Sequence, residues 1–161
     1  MGIAGAAFIQ LLAGCAGAPY ALNTVGPAPI NTAAFKPAGN LRVYTATESH
    51  EVGDNTYYYP HTGYYIYTES GKLFKYVPNN TAVVDETPAC VVVPSGIYTI
   101  KAQSDLYSTV TVPVVIQENR TTEVHLDSGW KPPLNVSTNQ LVYLPNGEAV
   151  GWSSSIKNSS E

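Results

Sequence analysis

Tyrosine side chains dominate one short stretch of the sequence, YYYPHTGYYIYT at residues 57–68, where six of the twelve residues are tyrosine. An exposed tyrosine ring offers apolar area and its hydroxyl offers a hydrogen bond, a combination that suits the binding of sugars or peptides. The stretch therefore predicts a ligand platform. Its members are Tyr57, Tyr58, Tyr59, Tyr65 and Tyr67. The alternative is ordinary packing, because aromatic residues are enriched in strands and pair across them.

Histidines and nucleophiles form no active-site motif along the chain. His50 lies between two carboxylates in ESHE, which is not the HExxH spacing of a zinc site. His50 and His61 would therefore bind a metal only if the fold brought them together. His125 alternates with two apolar residues and is expected on a solvent-exposed face. With no nucleophile-elbow pattern either, and with the serines of residues 153–155 in a polar tail, we expect neither an enzyme nor a metal or cofactor.

The elements that must position these residues are short runs of β-type sequence bounded by turn residues. The runs are residues 41–47, 63–68, 72–77, 89–93, 97–103, 108–116 and 121–126. Without a convincing amphipathic helix, they predict an all-β fold, an antiparallel β-sandwich of about seven strands over residues 40–128. In GYYIYT the period of two places Tyr64 with Ile66 on the inner face and Tyr65 with Tyr67 outside. Pro113 predicts an edge strand or a bulge.

A further hairpin is expected in the C-terminal segment, residues 129–161. Asn146-Gly147 separates two apolar runs in LVYLPNGEAVGW, which is a strong hairpin signal. Trp130 and Trp152 flank this unit and are candidates to close one end of the core. From residue 153 onward the sequence is polar and is expected to form a frayed tail.

Residues 94–127 carry the pattern P-x-G-x-Y-x-I-x-A, a short loop, an alternating valine strand, a polar turn and T-x-V-x-L. This stretch resembles the prealbumin-like β-sandwiches of the carboxypeptidase-regulatory and PEGA type. The matching positions are Pro94, Gly96, Tyr98, Ile100, Ala102, Thr122, Val124 and Leu126. The resemblance covers about a fifth of the chain and implies a small non-catalytic domain of secreted or surface proteins.

The N-terminus is typical of an export signal. Residues 2–14 are small or apolar apart from Gln10, a run too short to span a bilayer but suited to a signal-peptide core. The following Leu12-Ala13-Gly14-Cys15 resembles the lipobox of bacterial lipoproteins. That resemblance implies cleavage after residue 14 and acylation of Cys15, which would anchor the protein in a membrane. Two alternatives remain: cleavage after Ala18 with secretion, and a buried N-terminal helix.

Residues 15–39 are rich in proline, alanine and glycine and predict a flexible tether, with a loop packed on the domain as the alternative. Charged residues make up only 12% of the chain, the net charge is −4, and the basic residues are scattered. Nucleic-acid binding is therefore not expected. If a lipid occupies Cys15, then Cys90 in the apolar run ACVVV has no partner. We expect Cys90 to be a buried, inert thiol in a central strand.

Together these features predict a non-catalytic, lipid-anchored cell-envelope protein that presents a β-sandwich for structural or binding roles. Its expected partners are a membrane, through the lipid, and an envelope protein or a glycan. Ala16 is not the aspartate associated with inner-membrane retention in enteric bacteria, which favours the outer membrane or cell surface. The alternative is a secreted carbohydrate- or peptide-binding module that uses the tyrosine-rich surface.

Overall fold

The computed structural model describes residues 37–153. The predicted signal peptide of residues 1–14, Cys15, the tether up to residue 36 and the tail from residue 154 lie outside the described residues. Within residues 37–153 half the fold is strand, and the helical content is a single 3-10 turn at Thr138–Gln140. No helix in this part of the chain has the length and apolar character needed to cross a membrane. The prediction of an all-β fold is confirmed.

Most of the strands are joined by short connections, and the longer ones precede β6 and β10. In chain order they are β1 (Ala38–Tyr44), β2 (His50–Val52), β3 (Thr56–Tyr58), β4 (Tyr64–Thr68), β5 (Leu73–Val77), β6 (Cys90–Pro94), β7 (Gly96–Gln103), β8 (Thr109–Ile116), β9 (Thr121–His125), β10 (Leu141–Tyr143) and β11 (Ala149–Trp152). They form a four-stranded sheet, a three-stranded sheet and two hairpins, β2–β3 and β10–β11.

The four-stranded sheet has the order β5-β4-β7-β8 and is antiparallel throughout. Strand β8 shows why its sequence makes a strand: in TVTVPVVI every second residue is buried, which matches the alternation of side chains along an extended backbone. Pro113 lies on the exposed face of β8, opposite Thr99 of β7. Within the described chain β8 pairs only with β7, so the expected edge position of Pro113 is confirmed.

The three-stranded sheet has the order β6-β1-β9, and it contains a departure from the expected antiparallel arrangement. Strand β1 runs antiparallel to β6 but parallel to β9, with Val43 opposite Val124. The turn at residues 117–120 carries the chain from β8 in the four-stranded sheet to β9 in the three-stranded sheet, where β9 pairs parallel with β1. Side-chain periodicity gives no information about this direction.

The core is built from the inner faces of both sheets. Leu41, Val43 and Val93 of the three-stranded sheet belong to the same buried cluster as Ile100 and Val112 of the four-stranded sheet. Leu144 and Val150 of the C-terminal hairpin also belong to this cluster. Burial of apolar area at about 25 cal/mol per Å² makes this cluster the principal stabilising element of the fold.

Strand β4 confirms the predicted division of its side chains. Tyr64 and Ile66 are both fully buried, whereas Tyr65 is 43% exposed. The hydroxyl of Tyr64 has no hydrogen-bond partner, and burial of this ring raises the pKa of its hydroxyl. The inner face of β4 is therefore buried in the core, and its outer face is partly exposed to solvent.

A buried asparagine joins the end of β1 to the connection between β5 and β6. Asn79 donates to the carbonyl oxygen of Val43 at 2.9 Å and to the hydroxyl oxygen of Thr45 at 3.0 Å, and it accepts from the N–H of Ala89 at 3.0 Å. Its backbone has φ 71°, a left-handed conformation that asparagine tolerates better than most residues. These bonds fix the loop that precedes β6.

Candidate ligand groove

Three tyrosine rings form a row on the outer face of the four-stranded sheet. Tyr65 of β4 lies opposite Tyr76 of β5 on one side and Lys101 of β7 on the other. The ring centroids of Tyr65 and Tyr76 are 4.8 Å apart with a 45° interplanar angle. Tyr67, two residues further along β4, has its ring 6.4 Å from that of Tyr65 at 37°. The row exists because alternate residues of a strand and directly paired residues of its neighbours share one face.

A groove of about 620 Å³ runs along this row. Its volume lies within the range of roughly 300–1,000 Å³ that is common for small-molecule sites. Polar groups complete the lining beside the three rings. They are Glu48, Thr62, Lys101, Gln103 and Thr109. The groove therefore offers apolar ring faces together with a carboxylate, an ammonium, an amide and hydroxyls.

Glu48 reaches the groove because the chain after β1 is tied to the start of β4. Thr47 forms an isolated antiparallel bridge with His61. The N–H of Glu48 donates to the carbonyl oxygen of Pro60 at 3.1 Å, and the N–H of Thr62 donates to that of Ala46 at 2.9 Å. These backbone bonds place the Glu48 loop at the end of the sheet where Thr62 begins the groove.

Gly63 allows the Tyr76 ring to lie in the groove. A Cβ atom built on Gly63 would overlap the hydroxyl of Tyr76 and would stand 2.7 Å from its Cζ atom. The absence of a side chain at position 63 therefore lets the end of this ring lie directly against the backbone before β4.

The other three tyrosines of the predicted platform lie elsewhere. Tyr57 and Tyr58 belong to β3, which forms a small hairpin with β2, and Tyr59 follows directly. The hydroxyl of Tyr57 faces Glu51 at 3.4 Å, and the N–H of Tyr59 donates to a carboxylate oxygen of Glu86 at 2.7 Å. Within residues 37–153 no ring contact joins this group to Tyr65 or Tyr67. The five predicted tyrosines thus divide into two groups, Tyr57–Tyr59 and Tyr65 with Tyr67.

The β2–β3 hairpin itself was not expected, because residues 56–63 have a turn-like composition. Its turn uses Gly53 at φ 60° and Asn55 at φ 61°, residues that accept left-handed backbone conformations. The sequence EVGDNTY contains this signal: short β-type ends flank a Gly-Asp-Asn turn.

Tyr76 is the groove ring that the sequence prediction missed. A simple hairpin about the turn at residues 69–71 does not give its register, because a β-bulge between Ile66 and Tyr67 shifts the pairing of β4 and β5. The shift brings Tyr76 opposite Tyr65. Alternation within KLFKYV shows which residues share a face, but the partner across the strand depends on the bulge.

His50 and His61 have different roles. His61 is buried, and its Nδ1 donates to the carbonyl oxygen of Thr45 at 2.7 Å. His50 is partly exposed, with Nε2 3.7 Å from a carboxylate oxygen of Glu48. In the described part of the chain no three His, Cys, Asp or Glu residues gather in an arrangement that could hold a metal ion.

His125 is buried, so its expected position on a solvent-exposed face is wrong. Its side chain does point away from the core, but the outer face of the three-stranded sheet is covered there. The imidazole lies between the rings of Tyr44 and Trp130, at 4.3 Å from each and within 12° of parallel. Trp152 extends the stack, with its ring 6.2 Å from that of Trp130. The two tryptophans, which were expected to close one end of the core, instead stack on each other, and Trp130 covers the imidazole of His125 on the outer face of the sheet.

Cys90 is exposed, which corrects the expectation of a buried thiol. The run ACVVV was expected to form a central strand, but β6 pairs only with β1 in the described residues and is an edge strand. Cys90 lies opposite Arg42 on the outer face, and Val92, two residues on, is 68% exposed. The continuous apolar character of the run therefore does not reflect burial on both faces of the strand.

No family model, curated protein or solved structure matches the chain. The case for a function therefore rests on the groove, the sequence motifs and the chemistry that these residues can perform.

Proposed function

We propose that this protein is a non-catalytic, lipid-anchored protein of the bacterial cell envelope whose all-β domain binds a ligand on its tyrosine-lined groove. The observation that carries the proposal is the row of rings formed by Tyr65 and Tyr76, which are exposed, and Tyr67, which is partly buried, beside polar side chains. These rings lie on the face opposite the core, so core packing does not require them. Ligand binding would account for the presence of these rings on that face.

The domain in this proposal is a β-sandwich of the prealbumin-like type. Support comes from the two sheets whose inner faces contribute to one buried cluster. Further support comes from the resemblance of residues 94–127, which span β7, β8 and β9 and the turns between them. Such domains act as rigid carriers of surface loops and faces, which suits a binding role.

The anchor in this proposal is Cys15. The lipobox-like Leu12-Ala13-Gly14-Cys15 supports cleavage after residue 14 and acylation of the cysteine. In this proposal residues 16–36 act as a tether: 21 residues of flexible chain would have a root-mean-square reach of roughly 25 Å. A tether of this length would let the domain reach a ligand away from the lipid surface.

The test is the intact mass of the native protein extracted in detergent from membranes of its host. We expect a mature chain that begins at Cys15 and carries a diacylglyceryl group, and we expect Cys15→Ala to abolish the addition. Cys90→Ala is the matched control because it removes the only other thiol and should leave the lipid in place. A mature chain without lipid would overturn the anchoring.

The second candidate is a freely secreted binding module, which the Ala16-Gly17-Ala18 site favours. The same spectrum separates the two. An unmodified chain beginning at Pro19, recovered from the soluble fraction, identifies the secreted form. The groove would then serve the same binding role without a membrane.

A further inference from the structure

We propose that the groove on the four-stranded sheet binds a neutral glycan, whose sugar rings stack on Tyr65, Tyr67 and Tyr76. The inference deepens the proposed function: it rests on the domain being a binding module and does not depend on the lipid at Cys15. Pyranose rings present apolar C–H faces and polar hydroxyl edges. Tyrosine supplies the matching pair, an apolar ring face and a hydroxyl that hydrogen-bonds at its edge.

The charges of the groove fit a neutral ligand. Glu48 and Lys101 carry opposite charges and are the two ionised groups among its lining residues. Lys101 makes no ion pair within residues 37–153, and a carboxylate oxygen of Glu48 lies 3.7 Å from Nε2 of His50. The ammonium and carboxylate are therefore available as a hydrogen-bond donor and an acceptor. Glu48 would repel an anionic chain, and Lys101 would repel a cationic one.

The neutral polar groups extend this match. The amide of Gln103 and the hydroxyls of Thr62 and Thr109 both donate and accept hydrogen bonds. Sugar hydroxyls do the same, so each can find a partner whichever way it points. Peptide capture by strand addition would instead use the backbone groups of an open strand edge. The groove presents side chains from the face of a sheet, and this favours a glycan over a peptide.

The tilt of the rings indicates which form of glycan fits. The planes of neighbouring tyrosines differ by 37° and 45°, so the three rings do not make one flat surface. Sugar units that turn relative to one another along a single chain can follow such a row. A flat crystalline surface cannot contact all three rings at once. The expected ligand is therefore a soluble glycan chain.

The experiment is affinity electrophoresis of the full chain in non-ionic detergent, through gels that contain a soluble neutral polysaccharide. The probes are a β-glucan, a glucomannan and an α-glucan, with polygalacturonate as the anionic comparison. The double variant Tyr65→Ala/Tyr67→Ala tests the groove. Tyr57→Ala/Tyr59→Ala is its control, because it also removes two tyrosine rings, 50% and 49% exposed, from residues that lie outside the groove.

We expect retention by at least one neutral polysaccharide and a loss of about tenfold or more in affinity for the groove variant, as is typical of buried aromatic anchors in an interface. The control variant should bind like the natural protein. Raising the salt from about 0.05 M to about 0.5 M should change the affinity less than about twofold, because screening acts on net charge.

Gly63→Ala supplies an independent test of ring position. A methyl group at residue 63 displaces the Tyr76 ring without removing any tyrosine. We expect it to weaken retention about threefold to tenfold while the far-ultraviolet circular dichroism spectrum stays unchanged. Equal loss in the Tyr57→Ala/Tyr59→Ala variant would overturn the proposal. So would retention only by polygalacturonate, or by no polysaccharide of the panel.

These outcomes are separate from those of the anchoring test. If the protein carries lipid at Cys15 but binds no neutral polysaccharide, the proposed anchor is supported and the glycan inference is wrong. If the protein carries no lipid but binds a neutral polysaccharide through Tyr65 and Tyr67, the glycan inference is supported and the proposed anchor is wrong.

Discussion

The outer faces of the two larger sheets of this protein differ in how far they are covered. On the three-stranded sheet, His125 is stacked between Tyr44 and Trp130 with nearly parallel rings 4.3 Å apart. On the four-stranded sheet, Tyr65 and Tyr76 are tilted by 45° and stay about half exposed. One face is closed by a later segment of the same chain, and the other is open within residues 37–153.

The difference teaches that aromatic content alone does not identify a binding face. Both faces carry aromatic rings in cross-strand rows, and such rows stabilise any sheet. What distinguishes the four-stranded sheet is that no segment of the described chain covers its rings, while polar groups capable of hydrogen bonding surround them. Substitutions on the closed face should therefore change stability, and substitutions on the open face should change binding.

The largest contrast comes from one substitution made on each sheet. A Cβ atom at Gly39 in β1 would collide with the carbonyl oxygens of Gln117 and Arg120, which are backbone atoms of the β8–β9 turn. At Gly63 it meets only the end of the Tyr76 side chain. We expect Gly39→Ala to lower the free energy of unfolding by about 3 kcal/mol, because the backbone must shift. Gly63→Ala should change it by about 0.5 kcal/mol or less, because an exposed ring can move.

Urea denaturation of the two variants measures this contrast directly. The hydrogen bond from the N–H of Asn40 to the carbonyl oxygen of Arg120, 2.8 Å long, should be the first broken in Gly39→Ala. Faster exchange of that amide hydrogen would locate the damage at the turn. Equal stability of the two variants would show that the turn yields as easily as a side chain.

The second contrast comes from removing the ring that covers the outer face of the three-stranded sheet. Trp130 covers the imidazole of His125 but is itself only partly buried. Trp130→Ala should therefore cost about 2 kcal/mol, less than the roughly 3–5 kcal/mol of a fully buried tryptophan. Glycan retention should not change, because the groove lies on the other sheet. Trp152→Ala, at the 44% exposed end of the stack, is the milder control.

The sequence predicted which residues share a face but not what lies over that face. Alternation in β4 correctly separated Tyr64 and Ile66 from Tyr65 and Tyr67, because the period of two is a local property of the backbone. The same alternation correctly turned His125 away from the core. It could not show that Trp130 closes over the imidazole, because that contact depends on the path of the chain after β9.

The groove was predictable to a similar extent. Tyr65 and Tyr67 follow from strand periodicity, and Tyr57–Tyr59 were grouped with them only because they are neighbours in sequence. Tyr76 and Glu48 enter through a β-bulge and through a backbone bridge between Thr47 and His61. Both are long-range features that local pattern does not encode, and so the register of the site had to come from the structure.

The third prediction concerns the inner face of β4, beneath the groove. The hydroxyl of Tyr64 is buried without a hydrogen-bond partner, which is unfavourable in the folded protein. Tyr64→Phe removes this unpaired donor and keeps the ring, so we expect the variant to be about 1 kcal/mol more stable near neutral pH. A midpoint in urea that is equal to or below that of the natural protein would show that the hydroxyl is satisfied in solution.

The same substitution has a pH signature. Burial raises the pKa of Tyr64 above its ordinary value of 10.0, because the phenolate would lie in the core. In the unfolded chain the proton leaves first, so the stability that this group contributes is complete below the unfolded pKa and falls as the pH rises beyond it. The advantage of Tyr64→Phe should therefore grow between about pH 9 and about pH 11.

The tyrosines of the groove are expected to contribute little to stability. Tyr65 contacts Tyr76 and Tyr67 across and along the sheet, and such pairs contribute about 0.2–1 kcal/mol. Tyr65→Ala should therefore lower the free energy of unfolding by about 1 kcal/mol at most, whereas its effect on glycan retention should be among the largest.

Tyr65→Phe separates the two functions of this side chain. It keeps the ring and its packing, so stability should be unchanged, and any loss of retention measures the hydrogen bond of the hydroxyl. If Tyr65→Ala destabilised the fold as strongly as Trp130→Ala does, the rings of the open face would be structural, and the distinction between the two faces would fail.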